Sequence, residues 1–196
     1  TYLDSIGLHS KLFGSHLLTF ALKDHIGKIR GFASRDSREK KAGRSLWYNT
    51  SGDVPIFVKS QLLYGLDVAR MEKGPTYLVE GYSDVLALRL RGLKKVVAYM
   101  ASHVSTGQVD LLRKSQCTEV VLIPDWDANN AGENATEKAL EQVFGGREDF
   151  TVRVKPLPPS KTKSAIDPRD YLASETGNSL ESFLRLPEYD AFDWLL

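Results

Sequence analysis

The residues best placed to do chemistry are Asp125 and Asp127, which follow directly on the apolar run Val120-Val121-Leu122-Ile123. In extended backbone, residues two apart project to the same side, so these carboxylates can converge. A third acid, Glu80, closes a second strand-like run, "TYLVE" at 76–80. Carboxylates brought together repel one another unless protons or a cation offset them. Hard oxygen ligands suit Mg²⁺ or Mn²⁺, which bind phosphates alongside a few carboxylates. A lone Asp-x-Asp also serves as a turn or cap pair; Glu80 at a matching strand end is what makes it a candidate metal site. Gly81 would let the backbone turn tightly after Glu80. Asp84 either reaches the metal from a first helical turn or favours the helix N-terminus.

The elements that must hold these acids follow from the pattern of the second half. Strand candidates at 76–80, 96–100, 119–123 and 150–154 alternate with helix candidates at 82–92, 105–115 and 131–144. Short loops between them argue for a parallel α/β sheet. Ligands of such sheets bind beyond the carboxyl ends of the strands, and Glu80, Asp125 and Asp127 all fall there. Gly92 is a helix stop, and Ser105 or Thr106 an N-cap. After Val154, "KPLPPSKTKSAIDPRDYL" reads as exposed loop, and 179–186 as a short helix.

The first half differs. Segments around 16–24 and 28–36 flank His25-Ile26-Gly27 and predict a β-hairpin. Residues 45–50 predict another strand, and 57–73 a helix with Leu62, Leu63, Leu66 and Ala69 near one stripe. Gly74-Pro75 then breaks the chain, which sets the expected organisation as 1–75, 76–160 and 161–196.

The chain has 196 residues, enough for one domain with an appended lobe, and 42% hydrophobic content fits a globular protein. No run of about 18 apolar residues marks a membrane span, and no signal-peptide pattern is present. The first residue is Thr, which reads as an excised fragment. A single cysteine, Cys117, excludes a disulfide framework and a Cys-based zinc site. These features suit the cytoplasm. Net charge is +1, but residues 1–75 hold 12 Lys/Arg against 7 Asp/Glu, and the rest 14 against 18. A basic lobe beside an acidic one suits a polyanion held near a cation.

Several motifs together resemble the bacterial DnaG-type primase family. "YLVEGYSDVLAL" followed by "VVLIPDWDANNAG" resembles the Toprim domain shared by these primases, topoisomerases and some nucleases. "LTFALKDHIGKIRGFASR" resembles the hairpin ahead of Toprim in the primases. "YNTSGDVPIFVKSQLLYGLDVA", "VAYMASHVST" and "AIDPRDYL" resemble further primase segments, and together the motifs cover roughly residues 12–175. The resemblance implies a Toprim parallel-sheet domain with helices on both faces, preceded by a smaller basic α+β subdomain. It also implies synthesis of RNA primers from nucleoside triphosphates on single-stranded DNA. Carried over by motif, Glu80, Asp125 and Asp127 would form the metal centre, with Asp84 and Asp167 as supporting acids. Arg30, Arg35, Lys59 and Asn49 would contact nucleotide or template. Glu80 would be either a metal ligand or a general base. A replicative helicase would be engaged through regions outside this chain, and the family's zinc-binding domain is not visible in it, since only one cysteine is present.

The chain departs from the family pattern in places. The second acid after Asp-Pro is Arg169, with Asp170 next to it, and the Leu-Gly-Thr turn is Met100-Ala101-Ser102. The stretch from Asp127 to Gly132 is two residues longer than usual. These changes suggest a divergent branch, such as a phage or mobile-element primase. Two other classes stay open: a Toprim nuclease using the same acids, and a non-catalytic single-strand-binding module, which Arg169 motivates. Trp47 and Tyr48 would stack on bases or pack in the core.

Overall fold

The computed structural model describes residues 8–9, 17–38, 47–50, 57–145, 149–173 and 179–196. Part of the basic run, at 39–44, lies outside them. Short apolar runs, buried on both faces, build the central sheet. Strands β5 (Thr76–Val79), β6 (Val96–Ala98), β7 (Glu119–Leu122) and β9 (Thr151–Val154) pair in parallel, and the short β11 (Tyr189–Asp190) adds antiparallel, in the order β11-β9-β7-β5-β6. The four parallel strands stand where the alternation predicts them.

Strand periodicity sends successive side chains to opposite faces, and each face has its own core. Leu78, Val97, Val120, Leu122, Val152 and Val154 point to one side, against the helices α1 (Leu66–Ala69), α3 (Thr106–Lys114) and α4 (Ala131–Ala139). Tyr77, Val79, Val96, Ala98, Val121 and Ile123 point to the other, against α2 (Tyr82–Leu90) and α5 (Pro168–Leu172). A π-helical turn at Leu140–Phe144 continues α4, and α6 (Leu180–Leu184) and α7 (Ala191–Leu195) close the chain. Among the described residues no helix is long and apolar enough to cross a membrane.

The hairpin of the first half is β2 (Leu17–Lys23) and β3 (Ile29–Asp36), inside a four-stranded antiparallel sheet ordered β1-β2-β3-β4. Here β1 is Leu8–His9 and β4 is Trp47–Asn49. Gly27 turns the hairpin at φ +88° while the Asp24 side chain accepts from the N–H groups of Ile26 and Lys28. Phe20, Leu22 and Ala33 of this sheet join the second core beside Tyr64, Tyr82 and Val85, with the Phe20 and Tyr82 rings stacked at 6.0 Å. One core therefore spans the basic lobe and one face of the parallel sheet.

The expected helix over 57–73 is a correction. Only a 3₁₀ turn at Lys59–Gln61 and the single turn α1 are helical. Between them Tyr64 exchanges both backbone hydrogen bonds with Ala98, at 3.0 and 3.1 Å, and so lines the outer edge of β6. Gly65 then sits at φ +86°, which no continuous helix allows. The leucine stripe is buried, but through a bent path. After Val154, residues 158–165 are exposed or half-buried as their Pro and Lys content implies, but the start of the stretch is not. Lys155 is 0% exposed and Leu157 is 3% exposed. Lys155 Nζ donates to the Leu184 and Leu186 carbonyls and meets Glu188 at 3.3 Å. Partners for all its polar capacity are what make a buried lysine tolerable.

Gly65 and Gly27 share a positive φ but differ in surroundings. A Cβ on Gly65 would lie 2.5 Å from Arg89 Nη2, which is itself held by the Gly65 and Val96 carbonyls; one on Gly27 meets nothing within 4 Å. Gly27→Ala should cost about 1 kcal/mol of unfolding free energy and Gly65→Ala about 2–4 kcal/mol. Urea denaturation of the two variants checks this; equal losses would show that the Arg89 clasp does not matter.

Candidate active site

The parallel strands end in acid. Glu80 follows β5, and Asp125 lies beyond β7, two residues after Ile123. Trp126 and Asp127 form the two-residue strand β8, paired antiparallel with β10 (Ala165–Ile166). That pairing carries Asp167, the residue after β10, to the same edge. Asp84 enters from the third position of α2, 2% exposed.

The electrostatics register this convergence. Burial, then the neighbouring Asp84, Glu80 and Asp167, pushes Asp125 up to about 8. Burial and Asp167 raise Asp84 to about 7, against the opposing pull of Arg169 and the Gly81 N–H. Burial and Asp167 raise Glu80 as well, while the Lys59 charge draws it back. Asp167 is raised mainly by burial. Asp127 goes the other way, lowered by the N–H groups of Ala131, Gly132 and Asn129.

Hydrogen bonding divides the acids further. Asp127 Oδ1 accepts from Asn129 and Ala131, and Oδ2 from Gly132, so this carboxylate caps α4. Asp167 caps α5 through Oδ1 and the Asp170 N–H at 2.6 Å, while its Oδ2 accepts from Arg169 Nη2 at 2.9 Å. Asp84 accepts from Gly81 N at 3.0 Å and, weakly, from Arg169 N at 3.4 Å. Asp125 Oδ1 is buried with no hydrogen-bond partner among the described residues.

The structure thus gathers Glu80, Asp84, Asp125 and Asp167 into one field, with Asp127 at its margin. It does not close Glu80, Asp125 and Asp127 into a cage. Among the described residues no three acids, histidines or cysteines are positioned to hold one ion together. Three of the expected ligands, Asp84, Asp127 and Asp167, accept from backbone N–H groups at helix starts. The residues still fit a hard divalent cation, because a buried carboxylate oxygen without a partner sits among acids that need positive charge. Mg²⁺ commonly uses one or two carboxylates and fills its shell with water and phosphate.

Lys59 is half-buried and close enough to act on Glu80. Its turn is clamped by α3, where Ser105 Oγ donates to the Ser60 carbonyl at 2.6 Å. Gln108 Nε2 donates to the carbonyls of Lys59, Leu62 and Tyr99. Asn49 accepts from the Tyr82 hydroxyl at 2.9 Å and ties β4 to the turn after Glu80. Arg35 lies near the end of β3 opposite Leu18 and Trp47, whereas Arg30 is paired with Asp24 at 2.8 Å at the hairpin turn.

Sequence reasoning missed Tyr82 and Gln108. The second carried a signal, since Ser105-x-x-Gln108 is the capping-box spacing. Gly132 entered only as the end of a spacing. A Cβ there would overlap the Asp125 carbonyl oxygen, so only glycine lets α4 start so close to the acids.

An α/β sheet of this order, with acids after its first and third parallel strands, defines a Toprim domain, and a Toprim-like family model matches residues 77–172. A DNA primase of Deinococcus radiodurans is 33% identical over 159 residues, covering 78% of this chain and 25% of the relative. The Aquifex aeolicus primase structure of zinc-binding and RNA polymerase domains is 28% identical, with a TM-score of 0.71, covering 95% of this chain and 46% of that one. The DnaG primase catalytic domain bound to single-stranded DNA, 22% identical with a TM-score of 0.70, covers 98% of this chain and 61% of that one and shares the fold. The chain belongs to the DnaG-type primase family. It spans about a quarter of the length of the curated primases that it matches. Toprim primases are metal-dependent.

Raised acid pKa values set a sign for pH dependence. Between about pH 4 and 8 the folded state holds protons on Asp84 and Asp125 that the unfolded chain has released, so stability falls as pH rises through this window. In chelator, the melting temperature of the native chain should drop from pH 5.5 to pH 8 more than that of Asp125→Asn. Millimolar Mg²⁺ should restore more at pH 8 than at pH 5.5. Thermal melts of both proteins check this, and parallel curves would remove Asp125 as the titrating centre.

Proposed function

We propose that this chain carries the catalytic centre of a DNA primase, which joins ribonucleoside triphosphates into short RNA primers on a single-stranded DNA template in the cytoplasm. The observation that carries the reading is the buried, unpartnered Asp125 Oδ1 inside an acid cluster at the carboxyl edge of a Toprim sheet. Asp125 and Glu80 would hold Mg²⁺ or Mn²⁺, with Asp127 beside them, and the bound ion would lower the pKa of the attacking 3′-hydroxyl and offset charge on the departing pyrophosphate. Glu80, whose pKa burial and then Asp167 raise above the usual carboxylate range, would alternatively take the hydroxyl proton. Lys59, fixed by Gln108 and Ser105, would meet the triphosphate on the Glu80 side. Arg35 and Arg30 line the basic lobe and would track template phosphates. Asn49, through Tyr82, would keep that lobe in register with the acids. Asp84 and Asp167 shape the cluster from helix starts. A replicative helicase would be reached through other parts of the full-length protein.

Labelled-nucleotide incorporation on single-stranded DNA with Mg²⁺ or Mn²⁺ tests the reading. The native chain should make oligoribonucleotides, and Asp125→Asn should lose about a hundredfold or more of that rate. Template binding should persist in the variant and weaken with salt in both. Template degradation instead of synthesis would mark a Toprim nuclease. Single-strand binding without turnover, even on a pre-annealed primer, would mark a binding module, the reading that Arg169 favours.

A further inference from the structure

The Arg169 guanidinium reaches into the acid cluster from the start of α5. Its Nη2 lies 2.9 Å from Asp167 Oδ2 and 3.6 Å from Asp170 Oδ1, and its backbone N–H faces Asp84. Its positive charge acts on Asp84, Asp125 and Asp167 together. The backbone beneath it is set by Pro168 at the start of α5 and by Tyr171 and Leu172 in the core. With Asp170 N on Oδ1 and Arg169 on Oδ2, both oxygens of Asp167 are engaged, whereas Asp125 Oδ1 is not. A guanidinium cannot shed its charge near neutral pH, so this cation is permanent.

We propose that Arg169 is a built-in cation of the cluster, occupying Asp167 where a divalent ion would otherwise bind, so that the chain takes a single ion on the Asp125–Glu80 side. The inference rests on the metal-dependent reading above and adds the stoichiometry and the residue that sets it. Lys163, 3.2 Å from Asp170 Oδ1, reinforces the positive charge on that flank. The Arg169 side chain is 44% exposed, so replacing it opens no core.

Mn²⁺ binding to the purified full chain, read from the free-ion electron paramagnetic resonance signal, tests this without any turnover. The native chain should bind one ion, and Asp125→Asn should lose it. Arg169→Asp and Arg169→Gln should either bind a second ion or bind Mn²⁺ tighter by roughly tenfold or more. Arg169→Lys, which keeps the charge, should stay at one ion. Circular dichroism confirms that each variant is folded. Two ions on the native chain, or unchanged binding in both Arg169→Asp and Arg169→Gln, would overturn the proposal and leave the primase reading intact. No binding by the native chain or by Arg169→Asp would remove the metal reading and this inference with it.

Discussion

Like charges held together out of water are the constraint on which the rest of the molecule depends. Glu80, Asp84, Asp125 and Asp167 meet at one sheet edge, and burial makes each ionised form costly. Three sources of positive potential answer them. Backbone N–H groups at the starts of α2, α4 and α5 bond Asp84, Asp127 and Asp167. Arg169 and Lys59 bring full charges. What these leave unmet is concentrated at Asp125, whose buried Oδ1 has no hydrogen-bond partner among the described residues, and that residual demand is what suits the edge to a cation.

The scaffold keeps this arrangement from relaxing. Parallel strands fix the spacing of Glu80 and Asp125, because Thr76 and Val120 are in register across β5 and β7. Glycine at 132 brings α4 against the Asp125 backbone, and Gly81 leaves room for the Asp84 carboxylate, whose Oδ2 would lie 2.6 Å from a Cβ. Gln108 spends its amide on three carbonyls and so holds the Lys59 turn, the Leu62 backbone and the Tyr99 strand end as one unit. Tyr82 stacks on Phe20 and bonds Asn49, which couples the basic lobe to the acid edge by packing and by a hydrogen bond.

The parallel strands and their helices were legible because short apolar runs and amphipathic stretches alternate between clear stops such as Gly92 and Ser105. Glu80 and Asp125 were legible for the same reason, as acids placed where strands end. The path of 57–73 was not. Its leucines bury as a helix would have them do, but Gly65 breaks the helix and Tyr64 finds a sheet partner 34 residues on, at Ala98, which no local pattern announces. Lys155 was hidden for a related reason. A lysine in a Pro-rich stretch reads as solvated, and its carbonyl partners at Leu184 and Leu186 lie far along the chain. The split among the acids was also out of reach, since spacing says where a carboxylate is and not which N–H has claimed it.

The Tyr64–Ala98 bridge bears on how the chain keeps to itself. An open parallel sheet presents two rows of unpaired backbone groups, each a template for a strand of another molecule. Here β6 is covered by backbone arriving from the basic lobe, and β9 by the two-residue β11 at the far side. The β6 cover precedes the sheet in the chain but has nothing to pair with until β6 exists. During synthesis, the Tyr64 bridge therefore waits on Ala98. A folding intermediate lacking that pairing would expose the β6 edge, and there self-association would begin.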